Sequence, residues 1–144
     1  MFMGEYNHTV DTKGRLIIPS KFREVLGDKF VITKGMDGCL FVYDYAEWSN
    51  FEEKLKALPI NKKDNRMLVR HFLAGAAEVE VDKQGRILIP VKLREYAEIT
   101  KDVTLIGAAG HIEIWSDERW TALEEDEESM EDIAERMADM GFGM

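Results

Sequence analysis

The chain has 144 residues, of which 45% are hydrophobic, a composition that excludes disorder of the whole chain and allows one ordinary domain or two very small ones. No apolar run approaches the ~18 residues that span a bilayer. The N-terminus begins with polar and acidic residues, so we expect a cytoplasmic protein. The net charge of −9 comes entirely from residues 117–144, because residues 1–116 hold 17 acids and 17 bases. Because residues 1–116 carry no net charge, the overall negative charge does not exclude a nucleic-acid partner.

The first predicted unit covers residues 5–47 and alternates strands with one helix. The strand YNHTV leads into a polar turn, in which Gly14 supplies the positive φ of a tight hairpin. The returning strand RLII stops at Pro19, a residue that suits the start of a helix. This helix is expected to end at Gly27, and its apolar face holds Phe22, Val25 and Leu26. The strands FVITKG and CLFVYD follow.

Two helices are predicted in a linker that covers residues 48–75. The first ends at Pro59, and its apolar face holds Trp48, Phe51, Leu55 and Leu58. The second runs from Asp64 to Ala74, and its apolar set is Met67, Leu68, Phe72 and Leu73. Its other side carries basic residues four apart, which form either a solvated face or a secondary anion contact: Lys62, Arg66 and Arg70.

Residues 76–119 repeat the first unit. The stretch DTKGRLIIPSKFRE, which begins at Asp11, returns as DKQGRILIPVKLRE at Asp82, with eight of fourteen positions identical. The strands VTLIGA and HIEIWS follow a second helix, whose apolar face holds Leu93, Tyr96 and Ala97. A unit of about forty residues buries too little surface to be stable alone, so we expect the two halves to interlock around a pseudo-twofold axis.

Residues 120–144 form an acidic C-terminal tail. Apolar residues recur in it at helical spacing, at Met130, Ile133, Ala134 and Met137. We therefore expect an acidic amphipathic helix, followed by a frayed end over residues 141–144.

Catalytic and metal sites have little support in the sequence. Phosphate-binding glycine motifs are missing, and His8, His71 and His111 are isolated from other ligand residues. Cys39 lies in an apolar run and is expected to be a small core residue. We expect no enzymatic activity, no cofactor, no metal and no small-molecule substrate.

One enzymatic alternative is a pair of carboxylates, Asp11 and Asp82, that share a proton as in aspartic proteases. Each aspartate is followed four residues later by an arginine, Arg15 or Arg86, and an ion pair there would lower the carboxylate pKa. The residues therefore favour a structural role, in which each aspartate caps its turn or pairs with its arginine.

Basic residues gather at the same end of both units. They are Lys13, Arg15, Lys21 and Arg23 in the first unit, and Lys83, Arg86, Lys92 and Arg94 in the second. A turn followed directly by a helix could present these cations together, beside free backbone N–H groups. Such a cluster suits phosphates, and arginine also reads guanine edges in the major groove. We predict that these eight residues contact double-stranded DNA, while the turns are formed by Asp11, Gly14, Asp82 and Gly85.

The paired D-x-x-G-R turns, the P-x-K-[FL]-R-E helices, the opening MFMGEYNHTVD and the linker segment KALPINKKDNR resemble the MraZ family, which is built from two tandem SpoVT/AbrB-type domains. The resemblance is close over residues 1–120 and looser over the tail. It implies an α+β, mainly β fold: a swapped-hairpin AbrB-like β-barrel made by two internal repeats, with additional helices in the linker and tail. It also implies a ring-shaped homo-oligomer associated with the nucleoid.

By the same resemblance, the chain is expected to regulate transcription of the division and cell-wall gene cluster, its own gene included, by binding repeated promoter elements. The DNA-contacting motif then falls on Asp11, Lys13 and Arg15, with a second copy on Asp82 and Arg86. Because the second copy has Gln84 in place of the lysine, we expect the first turn to make the stronger contact.

The main alternative is a protein-interaction module. Related swapped-hairpin folds serve as antitoxins that hold a partner, often through an acidic C-terminal extension, and the tail could act in this way. On the DNA-binding interpretation, the tail lies away from the DNA and suppresses indiscriminate binding.

Overall fold

The computed structural model describes residues 1–126 and 128–144. Residue 127, which belongs to the predicted tail, lies outside the described residues. The strands are β1 (Glu5–Thr9), β2 (Arg15–Ile17), β3 (Lys29–Lys34), β4 (Leu40–Tyr43), β5 (Ala77–Glu80), β6 (Arg86–Leu88), β7 (Asp102–Gly107) and β8 (Ile112–Ser116). The helices are α1 (Ser20–Leu26), α2 (Tyr45–Lys56), α3 (Lys63–Ala74), α4 (Val91–Tyr96), α5 (Asp117–Glu124) and α6 (Met130–Asp139). The prediction of an α+β fold with two repeats and additional helices is confirmed.

Six of the strands form one antiparallel sheet in the order β1-β7-β8-β4-β3-β5. Each repeat contributes an antiparallel pair, β3 with β4 and β7 with β8, as the sequence predicts. The first strand of each repeat pairs with the other repeat: β1 with β7 and β5 with β3. The two halves of the chain therefore interlock within a single sheet.

The strands β2 and β6 form a separate two-stranded ribbon, in which Leu16 faces Ile87 at the centre. The tight hairpin that the sequence predicts between β1 and β2 does not form as a ladder. These strands meet only at a single bridge between Val10 and Leu16, because β1 turns away to pair with β7. The turn between them is formed as predicted, but each of its strands takes a partner from the other repeat.

One shared core fills the space between the sheet and the ribbon. Leu16 and Ile87 are 0% and 1% exposed and pack in the same cluster as Phe30, Leu105 and Ile114 from the sheet. The helices α1 and α4 contribute Phe22 and Leu93, with Gly27 at φ +77° ending α1. Within the described residues, the hydrogen-bonded sheet has two edges, β1 and β5, and is not a closed barrel. The ribbon packs against one face of the sheet, and the two enclose the core between them.

The linker helices cover the opposite face of the sheet. Trp48 of α2 packs with Val31 and Tyr43 in a second cluster, where Phe41 and Phe51 are partly buried. The hydroxyl of Thr33 donates to the carbonyl of Phe72 at 2.6 Å and fastens α3 to β3.

The predicted apolar faces of the helices are only partly buried. In the helices before the tail, Leu55 and Phe72 are buried, whereas Val25, Met67 and Leu73 are exposed. The three exposed residues lie at positions of α1 and α3 that no described element covers, so helical spacing overestimates how much of each face is buried.

The described part of the tail contains two helices that differ in their packing. The helix α5 lies against β7 and β8, where the Trp120 ring is 5.6 Å from that of Trp115. The second helix, α6, is the predicted amphipathic one, and among the described residues no element packs extensively against it. Among those residues, no helix is both long and apolar enough to cross a membrane.

The shared core predicts that one substitution in the ribbon destabilises both repeats together. Leu16→Ala should lower the free energy of unfolding by about 2–5 kcal/mol, because a fully buried leucine leaves a cavity in the common core. Urea denaturation followed by circular dichroism should still show one transition, at a lower midpoint. Ile17→Ala is the control: its side chain is 44% exposed, and the loss should stay below about 0.5 kcal/mol. A second, unshifted transition in Leu16→Ala would mean that the repeats have separate cores.

Candidate nucleic-acid interface

The turn before β2 is built around the carboxylate of Asp11. Its Oδ1 accepts from the backbone N–H groups of Lys13 (3.0 Å) and Arg15 (2.8 Å), while the N–H of Gly14 donates to the Asp11 carbonyl (2.9 Å). The second turn repeats this arrangement on the Asp82 carboxylate. Both aspartates therefore act as staples of their turns.

The same carboxylates hold the first arginine of each ribbon strand. Arg15 Nε donates to Asp11 Oδ2 at 2.7 Å, and Arg86 Nε donates to Asp82 Oδ2 at 2.8 Å. Among the described residues, the Nη atoms of these arginines have no hydrogen-bond or ion-pair partner. Each guanidinium is thus oriented through Nε and keeps its two terminal nitrogens free to donate to a ligand.

These hydrogen bonds also favour the ionised form of both aspartates. The backbone N–H of Arg15 is the main cause that lowers the pKa of Asp11, and the Arg15 side chain adds to it. The backbone and side chain of Arg86 lower the pKa of Asp82 in the same way. A shared proton would require a raised pKa on one carboxylate, so the geometry does not fit an aspartic-protease-like pair.

Arg15 and Arg86 lie on one face of the ribbon. Successive side chains of a strand point to opposite sides, and the buried Leu16 and Ile87 define the inner side. In the antiparallel register Arg15 lies opposite Leu88, and Arg86 lies opposite Ile17. The two arginines are therefore diagonal neighbours on the outer face, offset by two residues or about 7 Å along the strands.

The remaining two arginines reach the turns from the opposite repeat. Arg94 Nε donates to the Ile89 carbonyl (3.0 Å), and its guanidinium lies against Gly14, where a Cβ would be 2.6 Å from Arg94 Cζ. Arg23 Nε donates to the Ile18 carbonyl (2.9 Å), and its guanidinium lies against Gly85. Each turn thus meets the helix of the other repeat, not the helix that follows it in sequence.

The antiparallel pairing of the two ribbon strands brings each turn to the helix of the other repeat. Because β2 and β6 run antiparallel, the beginning of one strand lies beside the end of the other. The backbone confirms the arrangement: the N–H of Ile89 donates to the Gly14 carbonyl (2.9 Å), and the N–H of Ile18 donates to the Gly85 carbonyl (3.0 Å). Each turn is thus flanked by arginines of both repeats. Arg15 follows the first turn in sequence and Arg94 lies against its Gly14, while Arg86 follows the second turn and Arg23 lies against its Gly85.

The predicted lysines are all exposed. Lys13 and Lys83 lie in the two turns, and Lys21 and Lys92 lie in the first turns of α1 and α4. Gln84, which stands in the second turn where the first has Lys13, is also exposed. The charged groups that surround the ribbon are therefore accessible to a ligand.

Sequence reasoning missed two residues on this face. Ile17 and Leu88 are 44% and 58% exposed, although they belong to the apolar runs RLII and RILI, which the sequence presents as core. Strict alternation along a strand with one buried face would have found them.

A structural role is also indicated for Cys39, His71 and His111. Cys39 is fully buried, and burial raises the pKa of its thiol to about 12. His71 Nε2 lies 2.8 Å from the Gly35 carbonyl. His111 Nε2 lies 3.1 Å from Glu113 Oε2, and this contact is the main cause that lowers the pKa of the Glu113 carboxyl. Across residues 1–126 and 128–144, no group of three His, Cys, Asp or Glu side chains is placed to hold a metal ion.

Comparison with protein families finds a match over nearly the whole chain. The family model of the MraZ protein, described as antitoxin-like, matches residues 1–71 and again residues 72–141. Two successive matches agree with the repeat in the sequence.

Curated proteins of high identity align over 95–99% of the chain. Transcriptional regulator MraZ of Acetivibrio thermocellus is 61% identical over 143 residues, which is 99% of this chain and 100% of that protein. Its namesake in Thermoanaerobacter sp. (strain X514) is 59% identical with the same coverage. The one in Caldanaerobacter subterraneus subsp. tengcongensis is 61% identical over 95% of this chain and 96% of that protein.

Among solved structures, the solution structure of PHS018 from Pyrococcus horikoshii is similar at a TM-score of 0.33 and 18% identity. The alignment covers 79% of this chain and 88% of that chain.

The contact between Gly14 and Arg94 predicts an unusual cost for a small substitution. Gly14→Ala places a Cβ at φ +88° and also displaces the Arg94 guanidinium, so we expect a loss of about 2 kcal/mol in the free energy of unfolding. Gly27→Ala is the matched control, because Gly27 has φ +77° but no atom within 4 Å of the added Cβ. Its loss, about 1–3 kcal/mol, should come from backbone conformation alone, because φ +77° with ψ −166° is a region that glycine occupies almost exclusively. The Nε–H resonance of Arg94 should move in Gly14→Ala alone; an unmoved resonance would disprove the contact.

Proposed function

The chain belongs to the MraZ family, and from this premise we propose that it is a transcriptional regulator that binds specific sequences of double-stranded DNA. The named relatives are transcriptional regulators and not enzymes, in agreement with the expectation of no catalytic activity. The observation that carries the DNA-binding proposal is the outer face of the β2–β6 ribbon, where Arg15 and Arg86 are oriented by their aspartates and have free terminal nitrogens.

The chemistry of this face suits a base edge flanked by phosphates. A guanidinium that is held through Nε can donate two parallel hydrogen bonds from its other nitrogens, and guanine O6 and N7 accept such a pair in the major groove. In this proposal Arg15 and Arg86 read bases. The phosphate backbone is contacted by Lys13, Lys21, Arg23, Lys83, Lys92 and Arg94, which position the ribbon and supply most of the salt-dependent affinity.

The two turns are proposed to contribute unequally. They have nearly identical backbones, with the aspartate, the glycine and the arginine in the same roles. The first turn has a cation at Lys13 where the second has the neutral Gln84. Each turn carries one lysine, Lys13 or Lys83, so the number of cations is equal, and the proposed preference for the first turn rests on the position of Lys13 directly before Gly14.

We extend the proposal to the target and the assembly through the family resemblance. The chain regulates the division and cell-wall gene cluster, including its own promoter, and binds repeated elements as a ring-shaped homo-oligomer at the nucleoid in the cytoplasm. Residues 5–47 and 76–119 are the two SpoVT/AbrB-type repeats, with 48–75 as the linker and 120–144 as the tail. One ribbon offers few cations, but an oligomer repeats them along the DNA, so that weak contacts multiply through effective concentration.

The proposal predicts a specific effect of Arg15→Ala on DNA binding. The probe is the fragment upstream of the protein's own gene, in a fluorescence anisotropy titration across a salt series. Loss of a bidentate base contact should weaken binding about 5- to 150-fold and relax base preference at one position of each element. Lys54→Ala is the control, because it removes one exposed cation from α2, outside both turns and outside the basic side of α3, and it should leave binding unchanged. An Arg15→Ala protein that keeps its assembly and binds at full strength would remove the site assignment.

A second candidate function, protein interaction through α6, is favoured by the exposed face of that helix. Met130 and Met137 of this acidic helix are 69% and 41% exposed, and Met140, which follows its last residue, is 79% exposed. Such a face could bind a partner protein in the manner of an antitoxin. We propose instead that the negative charge of the tail suppresses indiscriminate DNA binding by repelling phosphates.

Removal of the tail distinguishes these roles. The truncation should end at Asp126, since α5 packs against the sheet and would be lost in a truncation after Ser116. The shortened chain should bind random DNA about tenfold more tightly at low salt and prefer the promoter fragment less strongly. Met130→Ala with Met137→Ala keeps the charge and should leave random-DNA binding unchanged. An unchanged preference in the shortened chain would exclude an electrostatic role of the tail.

A further inference from the structure

Two apolar side chains lie within the cationic face of the ribbon. Ile17 is 44% and Leu88 is 58% exposed, while the intervening Leu16 and Ile87 are buried. Neither Ile17 nor Leu88 belongs to a buried cluster, so the fold itself does not require large apolar residues at these two positions. A single exposed apolar residue is ordinary, but these two occupy equivalent positions of the two repeats and lie on one surface.

The register places each of these side chains beside an arginine. Leu88 lies directly opposite Arg15, and Ile17 lies directly opposite Arg86. Directly opposed residues of an antiparallel pair have Cβ atoms about 5 Å apart. The outer face is thus composed of two arginine–aliphatic pairs, related by the pseudo-twofold axis that passes between Leu16 and Ile87.

We propose that Ile17 and Leu88 contact thymine methyl groups in the major groove, next to the bases that Arg15 and Arg86 read. This inference deepens the proposed DNA binding and rests on it. The major groove, about 12 Å wide, admits a two-stranded ribbon. Thymine is the one standard base that presents a methyl group there, and an aliphatic side chain without a donor or acceptor discriminates bases only through such apolar contact.

The spacing supports this assignment. Base pairs along DNA are about 3.4 Å apart, so an aliphatic side chain about 5 Å from an arginine reaches a base one or two steps from the one that the arginine reads. Each arginine–aliphatic pair therefore selects a guanine with a thymine one or two positions away.

The charge of the face argues against the other simple occupant, a second copy of the same ribbon. A twofold contact of that kind would bury the aliphatic residues but would also bring together the positive charges of two ribbons. Asp11 and Asp82 offset only Arg15 and Arg86, and among the described residues no ion pair offsets the surrounding cations, which are Lys13, Lys83, Arg23 and Arg94. Like charges brought together across an interface are strongly unfavourable, whereas a polyanion neutralises them.

The experiment compares thymine with uracil, which differs only by the methyl group. The fragment upstream of the protein's own gene is amplified with either dTTP or dUTP, and the full-length protein is titrated with each by fluorescence anisotropy at fixed salt. Wild-type protein should bind the uracil fragment about fourfold more weakly for each contacted methyl group. The double variant Ile17→Ala, Leu88→Ala should bind the thymine fragment about as weakly as wild type binds the uracil fragment, and should not distinguish the two.

A matched control separates this contact from a general effect of apolar surface or of altered DNA flexibility. Val25→Ala removes an aliphatic side chain of similar exposure, 43%, from α1 and should retain the wild-type preference for thymine. Equal affinity of wild type for both fragments would overturn the inference, as would a preference for thymine that survives in the double variant. A double variant that alters subunit assembly but not discrimination would also overturn it.

The outcomes also distinguish failure of this inference from failure of the proposed DNA binding on which it rests. If wild type binds neither fragment more tightly than random DNA, the proposed function fails. If it binds the thymine fragment in an Arg15-dependent way but ignores the methyl groups, only the role of Ile17 and Leu88 fails.

Discussion

The pairing of β2 with β6 is the interaction on which the rest of the molecule depends. It joins the two repeats through Leu16 and Ile87, whose side chains are buried in the shared core. Within each repeat, the first two strands form no ladder with each other, because the first strand pairs with a strand of the other repeat. We therefore expect neither repeat to be stable alone, in keeping with the small area that one unit could bury by itself.

The same pairing assembles the candidate interface. The buried residues of the ribbon fix which side faces inward, so the alternate residues must face outward. Arg15 and Arg86 come to one surface for this reason, and the antiparallel direction brings Arg94 to Gly14 and Arg23 to Gly85. One set of backbone contacts thus serves both stability and the presentation of positive charge. The glycines permit this arrangement because a Cβ at either position would meet a guanidinium.

The distribution of charge allows a protein of negative net charge to present a local positive face. The body of the chain is balanced, so the positive face of the ribbon is a local feature of a protein with a net charge of −9. The described helices of the acidic tail, α5 and α6, do not contribute to the ribbon. In the proposed function, specific affinity comes from oriented arginines and from repetition in an oligomer, because a few exposed cations on one chain are weak against salt.

Much of the local structure could be predicted from short stretches of sequence. The turn residues, the helix start after Pro19 and the stop at Gly27 follow from backbone preferences that act over a few residues. The staple of Asp11 with Arg15 is also local, since the two residues are four apart across one turn. Helical spacing places Val25 and Met67 on apolar faces, yet both are exposed, because spacing identifies an apolar face but not the element that covers it.

The sequence by itself determined the two repeats, their turns, the identity of the basic residues and the family to which the chain belongs. Only the tertiary structure decided which strands pair, and therefore that the turn of one repeat meets the helix of the other. The exposure of Ile17 and Leu88 was decided there as well. The physical reason is that a β-strand carries no mark of its partner: its hydrogen-bonding groups are the same in every strand, and the choice depends on which pairing buries the most apolar surface across the whole chain.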